Sequence, residues 1–359
     1  MKQLYIILLA AIAFSCTMKQ PDKNLETKKP KRFFSDQSFW NQPLVENPEI
    51  DSRSPKWIEM LKTEPTKNNF SPQYIVYTIP VYEVDSTTPV VNVKFHYLTP
   101  ALKKLWDTTK ERFGHGSGFN PVPIPADALP DPEGDHHLAV IDWGRMLAWD
   151  MWGCEKLPDG SWASNTGMKY KLNGSGVFDT ADFNIANGES VHFYGPSRAP
   201  GVPAIAGLIM YEEVAAGEIR HKLSFGSRYV ALQEFACPPA IWTDGVVPGG
   251  IPEGSVIQLD PKLDLSKFDL TPEEKIVAIA LQKYGMVLVD GAGGQPIYVE
   301  GLYGHHGKSW KGKLREWGKK GINSIPYDNY RVLKAEKIVY KGDAKSLLSK
   351  KGSHKSTSR

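Results

Sequence analysis

Two stretches of the chain concentrate side chains able to move protons. The first is Asp135-His136-His137, set where a Pro/Gly-rich turn gives way to the apolar run Leu138-Ala139-Val140-Ile141-Asp142. Alternation along a strand puts Asp135 and His137 on one face and His136 on the other, so one histidine of the pair faces a site. The second runs from Tyr211 through Glu212, Glu213 and Gly217 to Arg220 and His221. A turn at Gly217 folds the flanking pieces back and brings Glu213 near His221. A carboxylate beside an imidazole orients its tautomer and raises its basicity, the arrangement needed for proton abstraction or for a metal site. Asp135, His137, Glu213 and His221 are therefore the candidate ligands of a possible divalent metal. Solvated polar turns are the alternative reading of both stretches.

A third segment, Gly304 to Lys320, interleaves cations with Trp310 and Trp317. Flat aromatic faces cover the apolar side of a sugar ring, and Lys or Arg pairs with its carboxylate or sulfate, so Lys308, Trp310 and Arg315 are candidate substrate contacts. The same composition suits single-stranded nucleic acid, or a Lys-rich loop whose Trp is tucked into the core. Phosphate-binding Gly-rich loops, the HExxH zinc-protease pair and the GxSxG elbow are absent from the sequence.

Elements to position these groups follow from the apolar pattern. Helices are expected at Ser54 to Lys62, Pro100 to Arg112 and Thr271 to Tyr284. The last carries the plainest signals: Thr271 to cap, Pro272 in the first turn, Glu273 and Glu274 facing the dipole, and Gly285 as the stop. Most other apolar runs are short, β-branched or aromatic and bounded by turn residues: Tyr74 to Val84, Val90 to Tyr97, Leu138 to Asp142, Arg145 to Trp152, Ser190 to Tyr194, Val256 to Leu259, Met286 to Asp290 and Ile297 to Glu300. The chain should be mainly β, a sandwich or jelly-roll-like core with a few packed helices.

The N-terminus has Lys2, the apolar run Leu4 to Ile12 and Ala13-Phe14-Ser15 before Cys16, the order of an export signal. Cys16 at the cut site resembles a bacterial lipobox, which implies a lipoprotein anchored at the outer membrane and facing the periplasm or the cell surface; an ordinary cleaved signal with an incidental Cys is the alternative. Residues 1–15 are thus read as signal peptide, 16–33 as lipid anchor and flexible tether, 34–340 as one β-rich catalytic domain and 341–359 as a basic tail. That tail carries six Lys/Arg against one Asp, and in an exported protein a solvated end suits it better than a nucleic-acid arm. Net charge is only +3, which singles out no partner. An oxidising compartment allows Cys154 and Cys237 to pair if the fold brings them together.

The blocks DHHLAVIDWGRMLAWDMW, GVPAIAGLIMYEEVAAGEIRHKLSF and LQKYGMVLVDGAGGQPIYVEG resemble a broad family of secreted bacterial proteins, some encoded among polysaccharide-degrading enzymes. The family pattern recurs here at Asp135, His137, Asp142, Glu213, Gly217, His221, Tyr284, Gly285 and Asp290. The chain departs from it at Pro196-Ser197-Arg198, where the family tends to carry an acidic residue. Size, export signal and polar inventory also resemble the oligosaccharide dehydratase of ulvan degradation, which acts on uronic acids.

The resemblance and the residues together imply a carbon–oxygen lyase on an acidic carbohydrate, either dehydrating a terminal uronic acid or cleaving by β-elimination. Such chemistry needs a cation for the carboxylate, a base for the α-proton and an acid for the leaving oxygen. His137, His221 and Tyr284 are the candidate base and acid, in one site, with Glu213 and Asp135 orienting them or binding metal. Arg220, or a Lys of residues 308–320, would hold the carboxylate. The alternatives are a glycoside hydrolase using Glu213 and Asp290 and a non-catalytic surface glycan-binding lipoprotein.

Overall fold

A computed structural model describes residues 30–65, 69–95, 118–178, 197–316 and 320–340. Cys16 and the expected signal, the expected helix at Pro100 to Arg112, the expected strand at Ser190 to Tyr194, Trp317 and the basic tail lie outside the described residues. Among the described residues no helix is long and apolar enough to cross a membrane.

The fold is mainly β, with a sandwich-like core and few helices. One sheet has six strands in the order Ser71–Gln73 (β1), Pro296–Tyr298 (β16), Leu223–Ser227 (β11), Met286–Gly291 (β15), Val256–Leu259 (β14) and Tyr330–Val332 (β18). A second has five: Thr166–Lys171 (β10), Leu147–Trp152 (β7), Leu138–Asp142 (β6), Ile79–Glu83 (β2) and Glu300–Gly301 (β17). The smaller sheets join Ile251–Glu253 (β13), Val230–Cys237 (β12) and Lys337–Tyr340 (β19); Val90–Val91 (β3) and Val122–Pro123 (β5); and Lys94–Phe95 (β4), Trp162–Ser164 (β9) and Glu155–Lys156 (β8).

Alternation along the strands divides the core into layers. Ile79, Val81, Ala139, Ile141, Ala148, Met168 and Tyr170 of the five-stranded sheet share one cluster with Val287, Val289 and Tyr298 of the six-stranded sheet, so this cluster fills the space between the two. The opposite face of the six-stranded sheet, through Leu223, Phe225, Ile257 and Leu288, packs on helices Ser54–Lys62 (α1) and Pro272–Lys283 (α3). The opposite face of the five-stranded sheet, through Leu138, Val140, Trp149 and Met151, packs on the small β layers. The short helix Tyr211–Ala215 (α2) precedes the turn at Gly217.

Helix α3 begins as its sequence requires. The Thr271 hydroxyl accepts the Glu274 N–H at 3.0 Å while the Glu274 carboxylate accepts the Thr271 N–H at 2.9 Å, a reciprocal capping box. Gly285 follows at φ +73°, a left-handed stop that costs glycine nothing.

Strand β15 holds an irregularity with a consequence for function. Phe225 pairs with Leu288, but the next residue of β11, Gly226, pairs with Asp290, so β15 has one extra residue. Val287 and Val289 face the layer between the sheets. Strict alternation would send Asp290 to the other face, and the bulge returns it to theirs.

Candidate active site

At one end of the space between the sheets the apolar layer gives way to a cavity of about 340 Å³. His137, Trp152 and Thr166 line it from the five-stranded sheet. Thr166 pairs with Trp152, and the Leu138–Met151 pairing extends to set His137 beside Trp152, so these three side chains stand in a row at the strand ends. Asp290 and Gly291 reach it from the end of β15, Ser197 and Arg198 from a loop, and Asp135 and Asp244 complete the polar wall.

The expected division of the His136–His137 pair holds. His137 is buried and lines the cavity, whereas the His136 ring nitrogen Nδ1 meets the Asp131 carbonyl at 2.9 Å and belongs to the turn. The Trp152 indole N–H donates to Asp135 at 3.2 Å, which orients that carboxylate beside the His137 ring.

Arg198 dominates the site. It is 1 % exposed, its guanidinium carbon lies 3.8 Å from the centre of the Tyr298 ring, and Nη2 donates to the Ala204 carbonyl at 3.1 Å. Among the described residues Nε and Nη1 are buried without a partner, as is Nδ1 of His137. A buried guanidinium with donors at a cavity wall suits an anionic ligand.

Electrostatics drives the titratable groups of the cavity apart. Burial outweighs the Asp135 charge and, with Arg198 nearby, pulls His137 down to about 4. Burial, joined by the charges of Asp244 and Asp135 and opposed by Arg198, pushes Asp290 up to about 8, with the Tyr298 hydroxyl donating to it at 3.2 Å. At neutral pH the cavity thus holds a neutral imidazole and a proton-bearing carboxyl, a base and an acid set by their surroundings.

His221 and Glu213 do meet, at 2.8 Å between Nε2 and a carboxylate oxygen. The link is helix α2 followed by the turn at Gly217, φ +87°. This pair does not join His137. His221 borders a separate void of about 10 Å³ among Phe33, Trp40 and Ile205, room for one water at most. Around it Arg220 donates to the Pro30 carbonyl at 2.7 Å, and Lys222 to those of Phe39 at 2.9 Å and Gln42 at 2.5 Å. These side chains fasten residues 30–42 to the body of the protein. Arg220 is committed to that task and is no wall of the large cavity.

This assignment yields a stability prediction. His221→Ala leaves Glu213 buried and unpaired, which should cost about 3 kcal/mol in denaturant unfolding, while turnover per folded molecule stays near normal. Burial lowers the His221 pKa, but the Glu213 carboxylate overrides it and the net shift is upward. A raised pKa means the pair stabilises fully below the unfolded value of histidine, about 6.5, and less as pH rises through the folded value. Wild type should therefore lose part of its advantage over His221→Ala on going from mildly acidic to alkaline pH. Equal stability of the two proteins at acidic pH would refute the assignment.

The remaining expected residues are also committed elsewhere. Tyr284 is the buried C-cap of α3, with the Lys283 ammonium 5.3 Å from its ring centre. Trp310 is buried, donates to the Glu300 carbonyl at 2.9 Å and packs edge-on to Tyr211. Arg315 pairs with the buried Glu274 at 3.0 Å and also reaches Asp269, and Lys308 pairs with Glu212 at 2.8 Å. The basic and aromatic segment is thus a strap that closes over α2 and α3. Cys154 and Cys237 are both free. Among the described residues no group of three or more His, Cys, Asp or Glu is arranged to hold a metal ion, because Asp135 with His137 and Glu213 with His221 sit in different places.

Arg198, Asp244 and Tyr298 are wall or backing residues that sequence reasoning passed over. Arg198 carried one signal: it lies in the stretch Pro196-Ser197-Arg198, where an acidic residue was expected and a cation stands. Its neighbours Val202, Ala204, Ile205, Ala206 and Leu208 are buried in the layer between the sheets, an apolar density unusual for a loop. No family model, no curated protein and no solved structure matches the chain.

Proposed function

We propose that this protein is an exported carbon–oxygen lyase acting on uronic-acid carbohydrates, and that the cavity of His137, Arg198 and Asp290 is its reaction site. The observation that carries the reading is Arg198, a buried cation with two nitrogens unpartnered among the described residues, in a wall shared with a neutral imidazole and a protonated carboxyl. A carboxylate of the sugar pairs with the guanidinium, which takes up the charge that develops when the neighbouring C–H is broken. His137 receives that proton. The electron pair forms the carbon–carbon double bond, the carbon–oxygen bond at the β position breaks, and Asp290 supplies the proton to the departing oxygen. Water returns a proton to Asp290 and takes one from His137. If the departing oxygen is a hydroxyl the reaction is dehydration, and if it is a glycosidic oxygen the chain is cut. Asp135 and Tyr298 steady the two proton carriers.

Incubation with a panel of uronic-acid oligosaccharides followed by mass spectrometry tests this. Loss of one water mass marks dehydration, and two fragments summing to the substrate mass mark eliminative cleavage. A second reading, hydrolysis by two carboxyls, is favoured by Asp135 and Asp244 sharing the cavity with Asp290. It predicts fragments whose sum exceeds the substrate by one water. The pair first expected for hydrolysis, Glu213 with Asp290, is not brought together, since Glu213 is bound to His221. A purely glycan-binding role loses its main support now that Trp310 is buried.

The location belongs to the same proposal: a lipid on Cys16 holds the protein at the outer membrane. Two acyl chains or more give stable anchoring, so Cys16→Ser should move most of the protein from the membrane to the soluble fraction. An unchanged membrane fraction would rule the lipid anchor out.

A further inference from the structure

The loop that carries Arg198 is held in an unusual way. Asp150, in the middle of β7, is wholly buried and points into the layer between the sheets. Its Oδ2 accepts the Ala204 N–H at 2.7 Å and the Tyr170 hydroxyl at 3.3 Å, and the backbone N–H of Ser197 lies near enough to favour the charged form of the same carboxyl group. One carboxylate therefore ties both ends of the stretch from Ser197 to Ala204. Between them the chain doubles back, with the Arg198 N–H on the Val202 carbonyl at 3.3 Å and the Gly201 N–H on the Arg198 carbonyl at 3.0 Å. The guanidinium then reaches the Ala204 carbonyl itself, so the residue that Asp150 grips by its N–H grips Arg198 by its oxygen.

We propose that Asp150 is a positioning residue: by gathering Ser197 and Ala204 it sets the Arg198 guanidinium on the Tyr298 ring at the cavity wall. Asp150 does not line the cavity and touches no ligand there. A buried carboxyl group whose Oδ1 has no partner among the described residues, and whose pKa burial pushes up to about 7, is costly to keep, and apolar packing alone would fill the same space. Holding a functional cation at a fixed point is what the carboxylate adds. The part of the proposal that concerns ligand affinity rests on Arg198 being the carboxylate holder.

Arginine labelling with phenylglyoxal, mapped by mass spectrometry, tests the positioning without any substrate. In the wild type, where the guanidinium lies on the Tyr298 ring and is tied to the Ala204 carbonyl, Arg198 should label slowly. In Asp150→Leu it should label readily, while Arg331, paired with Gln258 at 2.9 Å, labels at the wild-type rate. Asp150→Ser is shorter, cannot span both amides and should expose Arg198 too, which keeps the test open if the leucine variant does not fold. Asp150→Asn retains one accepting oxygen and should restore most of the protection. Arg198 equally protected in wild type and in the folded Leu or Ser variant overturns the proposal.

Calorimetry with glucuronate as probe supplies the second readout. Misplacing the guanidinium by about 1 Å should weaken binding on the order of tenfold to a hundredfold, and the loss should not add to that of Arg198→Ala. Undiminished affinity in the exposed variant, with affinity lost in Arg198→Ala, would overturn the positioning role. If Arg198→Ala itself binds glucuronate as the wild type does, the carboxylate reading of the cavity fails, and labelling alone decides the role of Asp150.

Discussion

Arg198→Ala should lower kcat/KM for a uronic-acid oligosaccharide by about a thousandfold, the size expected when a preorganised group facing developing charge is removed. Abstraction of the α-proton places a second negative charge on the carboxylate, and no other cationic side chain lines the cavity among the described residues. Burial makes the single cation effective, because little water is present to share the work. Most of the loss should fall on kcat, since the guanidinium meets more charge in the transition state than in the bound substrate. Arg198→Lys should recover only a small part. An ammonium is a point charge, and it cannot reproduce the flat stacking on Tyr298 or the fixed direction of the N–H groups. Steady-state kinetics on the wild type and both variants, corrected for the folded fraction, makes the comparison. A loss below tenfold in Arg198→Ala would remove Arg198 from the reaction.

The second large effect concerns protons. In the free enzyme kcat/KM should rise as pH passes about 4, where His137 loses its proton, and fall as pH passes about 8, where Asp290 loses its own. The sign follows from the roles: the base works only when deprotonated and the acid only when protonated. His137→Ala should cost about a hundredfold in turnover and abolish the acidic limb. Asp290→Asn should cost a similar factor and abolish the alkaline limb, because the amide does not titrate. The cost should shrink for an oligosaccharide bearing a better leaving group, which needs less help from an acid. If hydrolysis rather than elimination takes place, Asp290→Asn should still flatten the alkaline limb, but His137→Ala should leave turnover nearly intact. An alkaline limb unchanged in Asp290→Asn would show that another group supplies the proton.

Legibility of the site followed the range of the contacts involved. The meeting of Glu213 and His221 was readable because eight residues and one turn at Gly217 separate them, so local chain geometry suffices. Its purpose was not readable. Whether a buried pair faces a cavity or a packed corner depends on what lands beside it, here Phe33, Trp40 and the Lys222 ammonium. The strap around Trp310 shows the same limit: a basic and aromatic composition fits a binding loop and a buried fastening equally well, and Glu274 and Glu300, brought by other elements, decided for the second.

What the sequence by itself determined is local. It specified the mainly β character, the β6 run with His137 just before it, and helix α3 with its cap and stop, because alternation, capping and turn chemistry act between residues a few positions apart. Only the tertiary structure decided the site. Strand pairing set His137, Trp152 and Thr166 in one row, and a one-residue bulge against β11 turned Asp290 toward them. Asp150 fastened a distant loop so that Arg198 lay on Tyr298. The bulge and the Asp150 contact join segments far apart in the chain, the row comes from strands that lie close in sequence, and the geometry of all three is set by which apolar faces bury together, a property of the whole fold that no short window of sequence contains.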